Sequence, residues 1–146
     1  MTNRISSTMK PIQEVYSNSY LYDYQPMIDS MGYTILIQED DRDYQGDTYI
    51  LFHDGERLGI LIFGWGSCSG CDALQACDSY ADAEALRDKL LESILWHDGV
   101  EALGDYVESH DWEGDFMYHT DIGPQFLTRL KSWITAPFGQ WRGMTR

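Results

Sequence analysis

Two apolar, β-branched runs, TYILF at residues 48–52 and LGILIFGW at 58–65, are separated by the five residues HDGER. Runs of this kind favour extended backbone, and Asp-Gly between them is a hairpin dipeptide because glycine adopts the positive φ that a tight turn needs. The spacing predicts an antiparallel hairpin turning at Asp54-Gly55. A third apolar run, YTILI at 33–37, precedes it across the acidic loop QEDDRDYQGD at 38–47. Consecutive strands joined by short links pair as neighbours, so the three make a meander.

The remaining segments carry helical periodicity. Ile12, Val15, Tyr16, Tyr20, Tyr24, Met27, Ile28 and Met31 recur at three- and four-residue steps over 12–31, with Pro26 positioned to kink or split that helix and Gly32 to end it. Leu86, Leu90, Leu91, Ile94 and Leu95 form a stripe over 82–96, preceded by the cap candidates Asp78 and Ser79. Asp98 and Glu101 resemble a capping box opening a short helix with Val100, Leu103 and Val107 inward. Residues 109–121 are aromatic and irregular, with a short strand expected at 115–119. Asp121 and Pro124 open a last helix carrying Phe126, Leu127, Leu130, Trp133 and Ile134, and Pro137 stops it. Strands first and helices after predict an α+β domain: a small antiparallel sheet of about three strands, with helices packed on one face. At 146 residues and 43% hydrophobic content, the chain can bury one core without staples. One domain is expected over 1–137, with a flexible tail at 138–146.

Charge is distributed unevenly. All 24 acidic residues lie between Glu14 and Asp121, a span with only four basic ones (Arg42, Arg57, Arg87, Lys89), so its net charge is −20. Such a body repels nucleic acid, whose affinity comes from phosphate neutralisation, and attracts basic surfaces. The same charge also serves solubility. No apolar run is long enough to span a membrane, and the N-terminal segment lacks the apolar core of a secretory signal. With an odd number of cysteines, a cytoplasmic, reduced state is expected.

All three cysteines fall within FGWGSCSGCDALQAC, residues 63–77. Cys68-x-x-Cys71 has the spacing of a metal knuckle. Cys77 is then a third zinc ligand, and His53, His97, His110 or His119 the fourth. A strand ending in Trp, then C-x-x-C, then a helix is also the order of a thioredoxin-like redox site. Cys68 centred in G-x-C-x-G is formally a nucleophile position. The plainest reading is a tight glycine turn with small, packed thiols. The stretch DYQGD, FGWGSCSGCDALQAC and HDWEG, spanning roughly residues 43–115, resembles a group of small acidic proteins of phages and bacteria. The resemblance implies a cytoplasmic, phage-encoded context and carries no site residues with it.

Two acidic clusters are candidate partner-binding surfaces. One is Glu39, Asp40, Asp41, Asp43 and Asp47. The other is Glu101, Asp105 and Glu108, at i, i+4 and i+7 on one helix face, continued by Asp111, Glu113 and Asp115. Regular carboxylates on a rigid helix can stand in for a row of phosphates. EDDRDYQGD departs from a calcium loop at Arg42 and Tyr44 and lacks the closing Glu. The expectation is a non-catalytic protein-binding module, in its sharper form a phage-encoded inhibitor that occupies the nucleic-acid groove of a host protein. It would bind no nucleic acid or membrane itself, and homodimerisation through the aromatic N-terminal helix is open. The alternatives are a zinc-stabilised module built on Cys68, Cys71 and Cys77, and a small thiol enzyme.

Overall fold

The computed structural model of the chain describes residues 8–17, 21–41, 45–66, 72–116 and 121–136. The hairpin forms where the sequence predicts it. β2 (Gly46–His53) and β3 (Leu58–Trp65) pair antiparallel, from Gly46 opposite Trp65 to His53 opposite Leu58. Gly55 sits in the turn at φ 101°, a backbone region costly for any residue with a Cβ. The Asp54 carboxylate fixes the turn by accepting the backbone N–H groups of Glu56 and Arg57 and the Arg57 Nε–H. Burial alone would raise the Asp54 carboxyl, but these bonds and the Arg57 charge outweigh it and hold it below its ordinary value.

β1 (Thr34–Asp40) pairs with β2 across a bulge between Ile35 and Ile37. The acidic loop is therefore shorter than expected: Glu39 and Asp40 belong to β1, and Gly46 and Asp47 to β2. The sheet has four strands rather than about three, in the antiparallel order β1-β2-β3-β4. The fourth, β4 (Leu95–His97), pairs with the first residues of β3, Leu58 opposite His97 and Ile60 opposite Leu95.

The α+β meander is as expected, but the helices divide between the two faces of the sheet instead of covering one. Ile50, Phe52 and Leu61 point into one core, with Ile12, Tyr16, Met27, Ile28, Met31 and Leu90. These come from α1 (Ile12–Val15) and α2 (Gln25–Ser30), each with its C-cap residue, and from α3 (Tyr80–Ser93). The alternating neighbours Tyr49, Leu51, Leu58 and Ile60 point into a second core, with Leu103, Val107, Trp112, Phe126 and Leu130. These come from α4 (Val100–Ser109), a 3-10 helix (Trp112–Asp115) and α5 (Ile122–Ile134). Period-two side-chain alternation sends each strand into both cores, so the central hairpin is dry on both sides.

Several helix boundaries shift for identifiable reasons. The pattern over 12–31 gives two short helices because Pro26, lacking an N–H, suits the first turn of a helix and not its interior. Between them, the Tyr16 hydroxyl donates to the Asp23 carbonyl at 2.6 Å. α3 begins on a reciprocal cap: Asp82 N–H donates to Ser79 Oγ, and the Asp82 carboxylate accepts Asp78 N–H. It ends at Ser93, so Leu95 and Trp96 belong to β4 and not to the helical stripe. Gly99, at φ 101°, is the N-cap of α4, and Asp98 makes no capping bond there. The strand expected at 115–119 begins in the 3-10 helix, and 117–119 lie outside the described residues, as does the tail at 138–146.

Adjacent substitutions test the two-faced burial. Ile50→Ala and Leu51→Ala, on opposite faces, should each cost about 2–5 kcal/mol in urea unfolding. In a sheet with one wet face, one of the pair would be nearly neutral.

Candidate functional site

Gly66, just past the end of β3, is bridged to residues 72–75 by Asp72. Asp72 is 4% exposed. One carboxylate oxygen accepts Gly66 N–H and the other Gln75 N–H, both at 2.9 Å. The Gln75 side-chain amide returns a bond to the Gly66 carbonyl at 3.0 Å. Tyr24, at the N-cap of α2, accepts Leu74 N–H on its hydroxyl and hydrogen-bonds to Asp72. Burial first, and then the Asp72 charge, push the Tyr24 hydroxyl pKa above its ordinary range, so it stays a donor. Residue 66 is thereby tied to residues 72–75, and those residues to the first helical layer. Cys68 and Cys71 lie outside the described residues.

Cys77 follows the turn at 73–76 and packs against the first core, its thiol donating to the Ala73 carbonyl at 3.3 Å. Burial, then the carboxylates of Asp82, Asp72 and Asp78, raise its pKa, so it holds its proton. That is the opposite of what a thiolate nucleophile needs. Of the histidines considered as zinc partners, His53 and His97 both pair with Leu58 and share its face, the second core. The His97 and His110 rings each pack against Tyr106 on that face, at ring-centroid distances of 4.7 and 4.8 Å. The sheet separates all three from Cys77, and His119 lies outside the described residues. Among the described residues, no three His, Cys, Asp or Glu side chains come together as a metal site. A thioredoxin-like lead-in requires parallel strands, whereas the strand pairings among the described residues are antiparallel.

Beside the Asp72 clamp lies a cleft of about 440 Å³, on the first-core face where β1 ends, β2 begins and β3 ends. A run of side-chain hydrogen bonds forms its wall. Trp65 Nε1–H donates to Thr48 Oγ1 at 3.0 Å, and the Thr48 hydroxyl donates to Asp40 at 2.6 Å. The Gln38 amide donates to both Asp40 oxygens and to Gln25, and Gln25 donates back to Gln38. Asp40 and Thr48 are directly opposed across the strand pair, and so share a face. The sequence alone gave no sign of this cleft, because its wall joins Gln25, Gln38, Asp40, Thr48 and Trp65, which come from α2, β1, β2 and β3.

The acidic residues separate into two kinds. In the 39–47 cluster, Glu39 pairs with Arg129 of α5, and Asp40 lines the cleft. Asp41 is buried and accepts Asp47 N–H at 2.8 Å. Burial and the neighbouring Asp41 raise the Asp47 carboxyl above its ordinary value. Asp43 lies outside the described residues. This cluster is therefore not one exposed patch. Glu101, Asp105 and Glu108, by contrast, lie exposed on one side of α4, opposite buried Val100, Leu103 and Val107, and Asp111 is exposed just beyond. Glu84, Asp88 and Glu92 form a similar exposed row on α3, which the sequence reading passed over. Among the described residues, none of these seven side chains makes an ion pair.

Among the described residues, no helix is long and apolar enough to cross a membrane. Compared with protein-family models, with curated proteins and with solved structures, the chain matches none.

Two outcomes follow from this geometry. Asp72→Ala leaves two backbone N–H groups without their acceptor and should cost about 2–3 kcal/mol in urea unfolding. Cys77, followed by peptide mapping of alkylation against pH, should react with a midpoint above the ordinary 9.0 in the folded protein and at that value once unfolded. A midpoint below 9.0 in the folded protein would contradict the placement of its thiol.

Proposed function

We propose that this chain is a non-catalytic binding module that engages a basic surface of another protein through α4. The observation that carries the reading is the exposed row Glu101, Asp105 and Glu108, extended by Asp111, with no cation paired to it among the described residues. The neighbours along the row repel each other by a few tenths of a kcal/mol per pair. A basic partner would turn that cost into attraction and would speed encounter at low salt. The helix holds the three carboxylates over roughly 10 Å of its axis, a rigid row of charges with steps of about 6 and 4.5 Å, wider than the ~3.4 Å axial step of charges along a nucleic-acid strand. In its sharper form, the reading makes the chain a competitor of nucleic acid for a basic groove. Asp40 and Glu39 are secondary contacts at most, since structure already engages both.

The test uses a synthetic Lys/Arg-rich peptide as the basic surface, with binding measured by calorimetry at low and moderate salt. Changing Glu101, Asp105 and Glu108 together to Lys should weaken binding by roughly tenfold or more, and the wild-type affinity should fall steeply as salt rises. The control changes Glu14, Glu84 and Asp121 to Lys, an equal change of charge at scattered exposed positions. It should weaken binding no more than about threefold. Equal losses in the two variants would show that only net charge matters, and the α4 reading would be wrong.

A further inference from the structure

We infer that the cleft beside the Asp72 clamp is a site for a guanidinium group. The inference is independent of α4: the cleft opens on the first-core face, and α4 covers the second. Its volume, about 440 Å³, falls within the range of small-ligand pockets. Its lining combines carboxyl groups with aromatic rings. Asp23, Asp40 and Asp72 supply the first, and Tyr22, Tyr24 and Trp65 the second, while its described lining contains no Lys, Arg or His. An anionic or neutral apolar ligand would face carboxylates with no cation beside them in the described lining, so the cleft favours a cation.

The kind of cation follows from how the acceptors are held. Asp23 stands ahead of α2 and Asp40 at the end of β1, so the carboxylates approach from different elements. Asp23 Oδ1 is occupied by Gln25 N–H, and no donor is found for its second oxygen among the described residues. Asp40 is exposed, and its bonds from Thr48 and Gln38 fix its direction without shielding it from a ligand. An ammonium is a strongly hydrated point charge. A guanidinium has donors spread around a plane, sheds water more easily and stacks on rings, so it matches acceptors spread around an aromatic-walled space. Tyr22, 65% exposed, stands at the cleft as a large ring with little else to cover it. Trp65 is anchored through its Nε1–H to Thr48, which makes that proton a reporter of occupancy. An arginine side chain of a protein and a free guanidino compound share this chemistry.

The experiment titrates the ¹⁵N-labelled protein with N-acetyl-arginine N-methylamide and follows the Trp65 indole and the Gln25 and Gln38 side-chain amides. The citrulline analogue, a neutral isostere, and the lysine analogue run in parallel. Saturable shifts at these reporters are expected with the arginine probe at about millimolar Kd, with both analogues at least roughly tenfold weaker. Asp40→Asn should weaken the arginine probe several-fold. Asp23→Asn keeps an acceptor for Gln25 N–H and should do the same, which covers the case in which Asp40→Asn disturbs the strand ends. Free arginine in place of the capped probe assigns the source: preference for the capped form marks a protein side chain, and preference for the free form a small molecule. Equal response to arginine and citrulline, equal response to arginine and lysine, or no saturable change at Trp65 would each overturn the inference. The charge-reversed α4 variant should bind the probe as wild type does, so this inference and the α4 reading fail separately.

Discussion

Everything in this structure depends on a hairpin whose central residues have no wet side. Tyr49, Ile50, Leu51 and Phe52 are each at most 2% exposed, though consecutive residues of a strand point in opposite directions. Such a strand can persist only if apolar material covers both faces. A fully buried side chain of this size contributes about 1.5–3 kcal/mol, so neither cover is dispensable. The first helices and α3 supply one layer, and α4 and α5 the other. The glycines show how closely this core is fitted: a Cβ at Gly59 would overlap the ring of its cross-strand partner Trp96, and one at Gly123 the Phe116 ring and the Tyr49 hydroxyl of the sheet.

What was legible in the sequence is what local chemistry decides. The Asp54-Gly55 turn, the Ser79 cap and the last helix each follow from residues a few positions apart. What was not legible depends on distant partners. Leu95–His97 continues an apolar stripe that reads as helix, and only pairing with Leu58–Ile60 makes it a strand. The second helical layer did have a signal, since TYILF and LGILI are continuous apolar runs where a half-wet strand would alternate. The cleft had none, because Gln25, Asp40 and Trp65 meet only after the sheet has formed.

The cysteine stretch, the most conspicuous motif in the chain, acquires a different meaning once Asp72 is placed. Among two dozen acidic residues its position attracts no notice, yet it is the buried group that ties Gly66, at the end of β3, to residues 72–75 and the core. Similar reassignment runs through the charged residues. Asp41, Asp54 and Asp72 serve backbone N–H groups inside the fold, while the α4 and α3 rows face outward without cations among the described residues. Composition counts both kinds alike, so net charge alone overstates the acidic surface available to a partner.

The most direct test of the two-layer account is native-state hydrogen exchange across a series of low denaturant concentrations. The account predicts that Ile50, Leu51 and Leu61 amides are slowest, and that Leu90 of α3, Leu103 of α4 and Leu130 of α5 open with the same free energy as they do. If one helical layer opened well below the global free energy and left the hairpin protected, the sheet would not need both covers, and the account would be contradicted.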